Sequence, residues 1–135
     1  MARAFPTAGE IAVCGPVRTI VYLRLASGDQ PAADFLLGLT RRDQARFWAL
    51  LRRMAEGKIR RNREQFSRVE GGIFAFKTKA WRLLCFHDRG QMILLAGGAR
   101  INRKLPHSAI ERAMQLQEEY RRGKVAVLDD KRVAG

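Results

Sequence analysis

The first regular pattern along the chain is an alternation. Val17, Thr19, Val21, Leu23 and Leu25 alternate with Arg18, Ile20, Tyr22 and Arg24. A period of two over this stretch predicts a strand with one strongly buried face. Ahead of it, Pro6, Gly9, Gly15 and Pro16 punctuate residues 1–16, which read as an irregular N-terminal arm. After it, Ser27-Gly28-Asp29 reads as a turn. The period then changes. Pro31 suits the first position of a helix, and Ala32, Phe35, Leu36 and Leu39 follow helical spacing, so a short helix is expected over 31–38. Thr40 has the chemistry of an N-cap, with Asp43 in the first turn, where the helix dipole favours an acid. Phe47, Leu51 and Met54 share the apolar face of this second helix, with Trp48 and Ala55 beside them. Gly57 suits the left-handed residue just past its end.

Three apolar runs follow, at 73–77, 80–87 and 91–97. Asp88-Arg89-Gly90 has hairpin chemistry, and Thr78-Lys79-Ala80 is a tighter link. Leu83 to Phe86 and Met92 to Ala96 are apolar on both faces, which suits central strands covered by helices. A last helix opens at Pro106 or Ser108 and puts Ile110, Ala113, Met114, Gln117 and Tyr120 on one face. Gly123 is expected to end it, with a short strand over 125–128 and a frayed tail over 129–135. The reading is a single domain over 17–128, ordered β-α-α-β-β-β-α. Its class is α+β, a small antiparallel sheet flanked by helices.

Charge changes the picture more than size does. The 135 residues hold 26 Lys and Arg against 13 Asp and Glu, a formal charge of +13, which makes polyanions the leading class of partner. A hydrophobic content of 47% excludes a disordered chain. No apolar run approaches the ~20 residues of a membrane span, and Met1 to Pro16 has no signal-like apolar stretch, so no membrane partner and a cytoplasmic location are expected. Cys14, Cys85, His87 and His107 have no metal-site spacing, and no phosphate-cradling glycine loop is present, so no metal and no cofactor are expected.

The cations fall in groups. Arg42, Arg46 and Arg53 lie within a wedge of roughly 40° on the second helix, a solvated face or a polyanion contact. Lys58 to Arg63 is a basic loop, and Arg100 to Lys104 a second basic stretch. If the three apolar runs pair in succession, Lys77, Lys79, Arg82 and the stretch from Arg100 to Lys104 meet at one end of the sheet. Counting back along the strands sets Arg82 opposite Phe76 and Ala96. His87 falls at the far end, and Phe74, Phe76 and Trp81 read as core.

Asp34-Phe35-Leu36, GGIFAFKTKAWRLLCFHDRG at 71–90, MILLAGGARINRKLP at 92–106, IERA at 110–113 and EEY at 118–120 carry a resemblance. Together with the order of elements, they resemble the RelE/HigB-like toxins of bacterial type II toxin–antitoxin systems, in their phage-derived branch. The resemblance implies a metal-independent endoribonuclease acting on mRNA at the ribosome, neutralised by a cognate antitoxin. It implies Lys77 or Lys79 as general base, with Arg82 and Arg100 as phosphate clamps, and Arg103, Lys104 and His107 as further RNA contacts or the acid. Arg42, Arg46 and Arg53 join them as RNA-binding candidates. Such a site needs a base for the ribose 2′-OH, cations for the phosphorane and an acid for the leaving 5′-oxygen. The chain departs from many relatives in its late aromatic residue, since Tyr120 lies at the far end of the last helix. A gyrase-type toxin that acts by binding, or a non-catalytic nucleic-acid-binding module, are the alternatives.

Overall fold

The structure is a computed structural model that describes residues 4–59, 63–100 and 106–134, with side chains as far as residue 124. In chain order its elements are β1 (Thr7–Cys14), β2 (Thr19–Arg24), α1 (Pro31–Leu37), α2 (Arg41–Ala55), β3 (Phe66–Glu70), β4 (Ile73–Lys77), β5 (Trp81–Asp88), β6 (Gln91–Ala99) and α3 (His107–Ala134). The strands form one sheet in the order β1-β2-β6-β5-β4-β3. The α+β class holds, but the sheet is mixed rather than antiparallel. β2 and β6 run parallel, from Thr19 beside Gln91 to Tyr22 beside Leu94, because the chain between them crosses through two helices and three strands.

Two strands escaped the sequence pattern. β1 lies inside the segment expected to be an irregular arm. Its register shifts between Ala8 and Ile11 and again between Ile11 and Val13, so bulges erase the period of two. β3 is a half-exposed edge strand, FSRVE, without a run of apolar residues. The last helix is also longer than expected. It passes through Gly123 to Ala134, so no strand forms at 125–128 and the helix continues over 129–134. Gly123 serves close packing rather than a helix end, since a Cβ there would lie 2.6 Å from Phe5 Cβ. At the other end the Pro106 carbonyl accepts from Ala109 (3.0 Å) and Ile110 (3.4 Å), so Pro106 stands just before the helix and Ser108 within it. Among the described residues no helix is long and apolar enough to cross a membrane.

The sheet buries both faces. Ile20, Tyr22, Phe76, Leu83, Cys85 and Leu94 pack with α1 and α2, while Val21, Leu23, Ile73, Leu84, Phe86 and Ile93 pack with α3. Each large apolar side chain so buried contributes about 1.5–3 kcal/mol. α2 begins as its sequence predicts, with Thr40 Oγ1 accepting from the Asp43 amide at 3.2 Å. It ends at Gly57, whose φ of +80° allows Gly57 N to reach Met54 O (3.0 Å) and Lys58 N to reach Arg53 O (2.8 Å). The β1–β2 turn then closes on that end, as the Val17 and Arg18 amides donate to the Ala55 carbonyl (3.0 and 3.1 Å).

Candidate active site

Strand pairing draws cations to one end of the sheet. Lys77 on β4 pairs directly with Arg82 on β5, and Arg82 pairs with Gly98 on β6. The register is thus shifted from the counted one, which set Arg82 against Phe76 and Ala96. Part of the difference is an irregularity between Leu84 and Cys85 that counting along a regular strand does not foresee. The link between β4 and β5 is tight, with Thr78 N donating to Trp81 O at 3.1 Å. Arg100 joins the same end through its amide, which donates to Ala80 O at 2.9 Å.

Arg82 is the fastener of that link. It is only 9% exposed, and its Nη1 donates to the carbonyls of Thr78 (2.6 Å) and Trp81 (2.9 Å). Burial, and then the neighbouring Arg100, lower its pKa from the ordinary value. Lys77 is half-buried, and its Nζ donates to Arg63 O at 3.2 Å. Burial, and then the charge of Arg82, lower the Lys77 pKa, so its neutral form is easier to reach. Lys79 is exposed at the tip of the link.

A cleft of about 460 Å3 opens between this link and α2. Lys77, Thr78 and Lys79 line one wall and Arg46 and Arg53 the other. Arg53 donates to Gln65 Oε1 at 3.3 Å, and Arg46 lies 3.9 Å from Asp43. Asp43 also accepts from Trp81 Nε1 at 3.3 Å, which ties α2 to the first residue of β5. Thr78 Oγ1 is buried and has no hydrogen-bond partner among the described residues. The sequence reading missed Thr78 and Gln65. Nothing in their residue type marks them, and Gln65 precedes a strand that the pattern did not show.

The other candidates fall elsewhere. Arg42 is exposed on α2 and does not line the cleft. His107 is exposed at the start of α3 and pairs with Glu111 at 3.0 Å. Arg103 and Lys104 lie outside the described residues. Tyr120 lies away from the basic end, where its hydroxyl donates to Asp88 Oδ2 at 2.6 Å; Lys124 bonds the same carboxylate oxygen. His87 sits at that far end, edge-on to Phe74 at 5.4 Å, and burial followed by the charge of Arg18 lowers its pKa. Phe76 is wholly buried, and Phe74 and Trp81 pack against the same core.

The basic end lies within a stretch that matches a known family. The family of phage-derived Gp49-like proteins (DUF891) matches residues 34–118. The chain belongs to this family. Gp49-like proteins are part of the RelE/ParE-like toxin superfamily, which marks the chain as a toxin-like module. No curated protein matches the chain. The Gp49-like stretch runs from within α1 to within α3, so it includes every cation of the cleft and leaves out β1, β2 and the second half of α3.

Proposed function

We propose that this Gp49-like protein is the toxin of a type II toxin–antitoxin pair, an endoribonuclease that cuts mRNA on the ribosome and so arrests translation. Its partners are a cognate antitoxin and the translated message. The observation that carries the reading is Lys77, half-buried and paired across the sheet with Arg82. A lysine is a poor base at its ordinary pKa of about 10.4, and a neighbouring cation makes it a better one. Lys77 therefore takes the base role in preference to exposed Lys79. The 2′-oxygen, freed of its proton, attacks the adjacent phosphorus, and the 5′-oxygen departs. Arg100 and Lys79 balance the charge that builds on the phosphorane, and Arg82 holds the link that positions them. Arg46 and Arg53 grip the flanking strand, with Arg103, Lys104 and His107 as further contacts and His107 as candidate acid. This reading draws its charge stabilisation from side-chain cations and needs no metal.

A second reading rests on a specific observation. Tyr120 is held by Asp88 away from the basic end, so the cleft has no late aromatic acid. That favours a toxin that acts by binding, on DNA gyrase or another nucleoprotein target. Induction of the chain in a bacterium, followed by primer extension on a translated message, separates the two. New cuts that vanish when translation is blocked support the nuclease. Growth arrest with intact mRNA and a DNA-damage response supports the binding toxin.

A further inference from the structure

A second concavity lies on the α3 side of the sheet, away from the basic cleft. It has a volume of about 860 Å3 and is bounded by residues 5–8, the β5–β6 turn and the second half of α3. Its apolar lining is Phe5, half-buried, and Ala8, exposed, above buried Pro6 and Phe86. Its charged groups are unequal in sign. Arg89, Arg121 and Lys124 line it, and among the described lining residues Asp88 is the one carboxylate. Asp88 is already engaged by Tyr120 and Lys124. Arg121 stands over the Phe86 ring at 6.0 Å, and Arg89 projects from the turn, where its φ is +46°. The apolar surface does not stop at the cleft. Ile11 is paired with Val21, whose side chain faces α3, and Ile11 is 61% exposed.

We propose that this cleft is a docking site for an acidic, amphipathic segment of a partner protein. The segment seats apolar side chains against Phe5, Ala8 and Ile11 and sets carboxylates against Arg89 and Arg121. An apolar floor with a charged rim is the anatomy of a protein interface. A nucleic acid would use the rim and leave the floor bare, and a small anion would leave Ile11 bare. The rim cations would also steer an acidic partner, as opposite charge speeds encounter. On the reading of the chain as a toxin, on which this step rests, the partner is the antitoxin. It would be gripped away from the basic cleft, so the grip is separable from the catalytic residues.

The test uses the full-length chain and the product of the small reading frame next to its gene. Arg89→Glu with Arg121→Glu reverses the rim, and Ala8→Trp fills the exposed side of the cleft while leaving the charges in place. Both variants are expected to stay as toxic as the wild type, which also shows that they fold. Both are expected to bind the neighbouring protein roughly tenfold or more weakly and to escape its rescue of growth. Rescue of both variants as complete as that of the wild type would overturn the proposal. Dimerisation of the chain alone, abolished by the same substitutions, would assign the cleft to a second copy and also overturn it. If the neighbouring protein rescues not even the wild type, the toxin–antitoxin reading fails. The docking site then stands or falls on whether the cleft variants lose binding to that protein in a direct titration.

Discussion

The two ends of the β4–β5–β6 sheet hold similar residues in opposite arrangements. At the β5–β6 turn, Lys124 and Tyr120 converge on one carboxylate, Asp88, so charge and hydroxyl are matched. At the β4–β5 link, Lys77 faces Arg82 and Arg82 faces Arg100, cation against cation. The pKa values record the difference. Lys124 is raised, chiefly by its bond to Asp88, whereas Lys77 is lowered by burial and Arg82. Matched charges stabilise a fold, while facing cations cost free energy that backbone carbonyls or a bound anion offset. The contrast separates an end whose charges are matched from an end whose cations face one another.

The largest effect is expected at Lys77. Lys77→Met should lower cleavage by about 10²- to 10⁴-fold, the range for loss of a general base. Its melting temperature should hold or rise, because a cation facing Arg82 is removed. A fall in melting temperature with activity retained would break the contrast. The rate of the wild type should climb with pH and level off below the ordinary lysine pKa. In Arg82→Gln that levelling should move upward, read from a pH–rate profile on single-turnover cleavage.

Arg82→Ala should do two things at once. Loss of the link that positions the cations should cost about 3 kcal/mol of transition-state stabilisation. The Thr78 carbonyl loses its guanidinium donor and the Trp81 carbonyl keeps only the Thr78 amide, which should cost about 1–3 kcal/mol of stability. Denaturant melts beside toxicity assays at equal expression check both, and a fully toxic Arg82→Ala would remove it from the site.

Tyr120→Phe tests the matched end. It should lose about 1.5–3 kcal/mol of stability, as expected for a hydrogen bond to a charged group, and leave cleavage unchanged. The pH dependence has a definite sign. Burial is the largest single influence on Asp88 and raises its pKa, but the bonds to Lys124 and Tyr120 and the charges of Lys124 and Arg89 together lower it. Its contribution is full above the ordinary carboxylate value of about 4 and disappears as pH falls through the lowered one. Tyr120 is raised, by burial and then by its bond to Asp88. Its contribution is full below about 10 and is lost as pH rises through the raised value. Asp88→Asn should flatten the acid limb of a stability–pH curve.

The smallest effect belongs to α2. Arg46→Ala and Arg53→Ala should each reduce the log–log salt dependence of RNA binding by about 0.7, one phosphate contact apiece. Arg42→Ala, outside the cleft, should leave the slope as it is. Equal slopes for all three would show that α2 presents only a solvated face.

Where a pattern was strong the sequence was enough. The start and stop of α2 follow from Thr40, Asp43 and Gly57, because capping is local chemistry. The gathering of Lys77, Lys79, Arg82 and Arg100 at one end follows from hairpin order alone. β1 was hidden because its bulges break the alternation, and α3 was cut short because a glycine has two uses. At Gly123 the use is contact with Phe5, more than a hundred residues earlier in the chain. No local window contains both residues.

By itself the sequence determined the class of fold, the two-faced burial of the central strands and the resemblance to a toxin family. Periodicity and caps act over a few residues and are written where they act. Only the tertiary structure decided which lysine lies beside Arg82, that Arg82 is spent on two backbone carbonyls, and that Arg46 and Arg53 face the strand cations. It alone also set Tyr120 against Asp88. These depend on register and on helix placement over the sheet, where a shift of one residue turns each side chain to the opposite face.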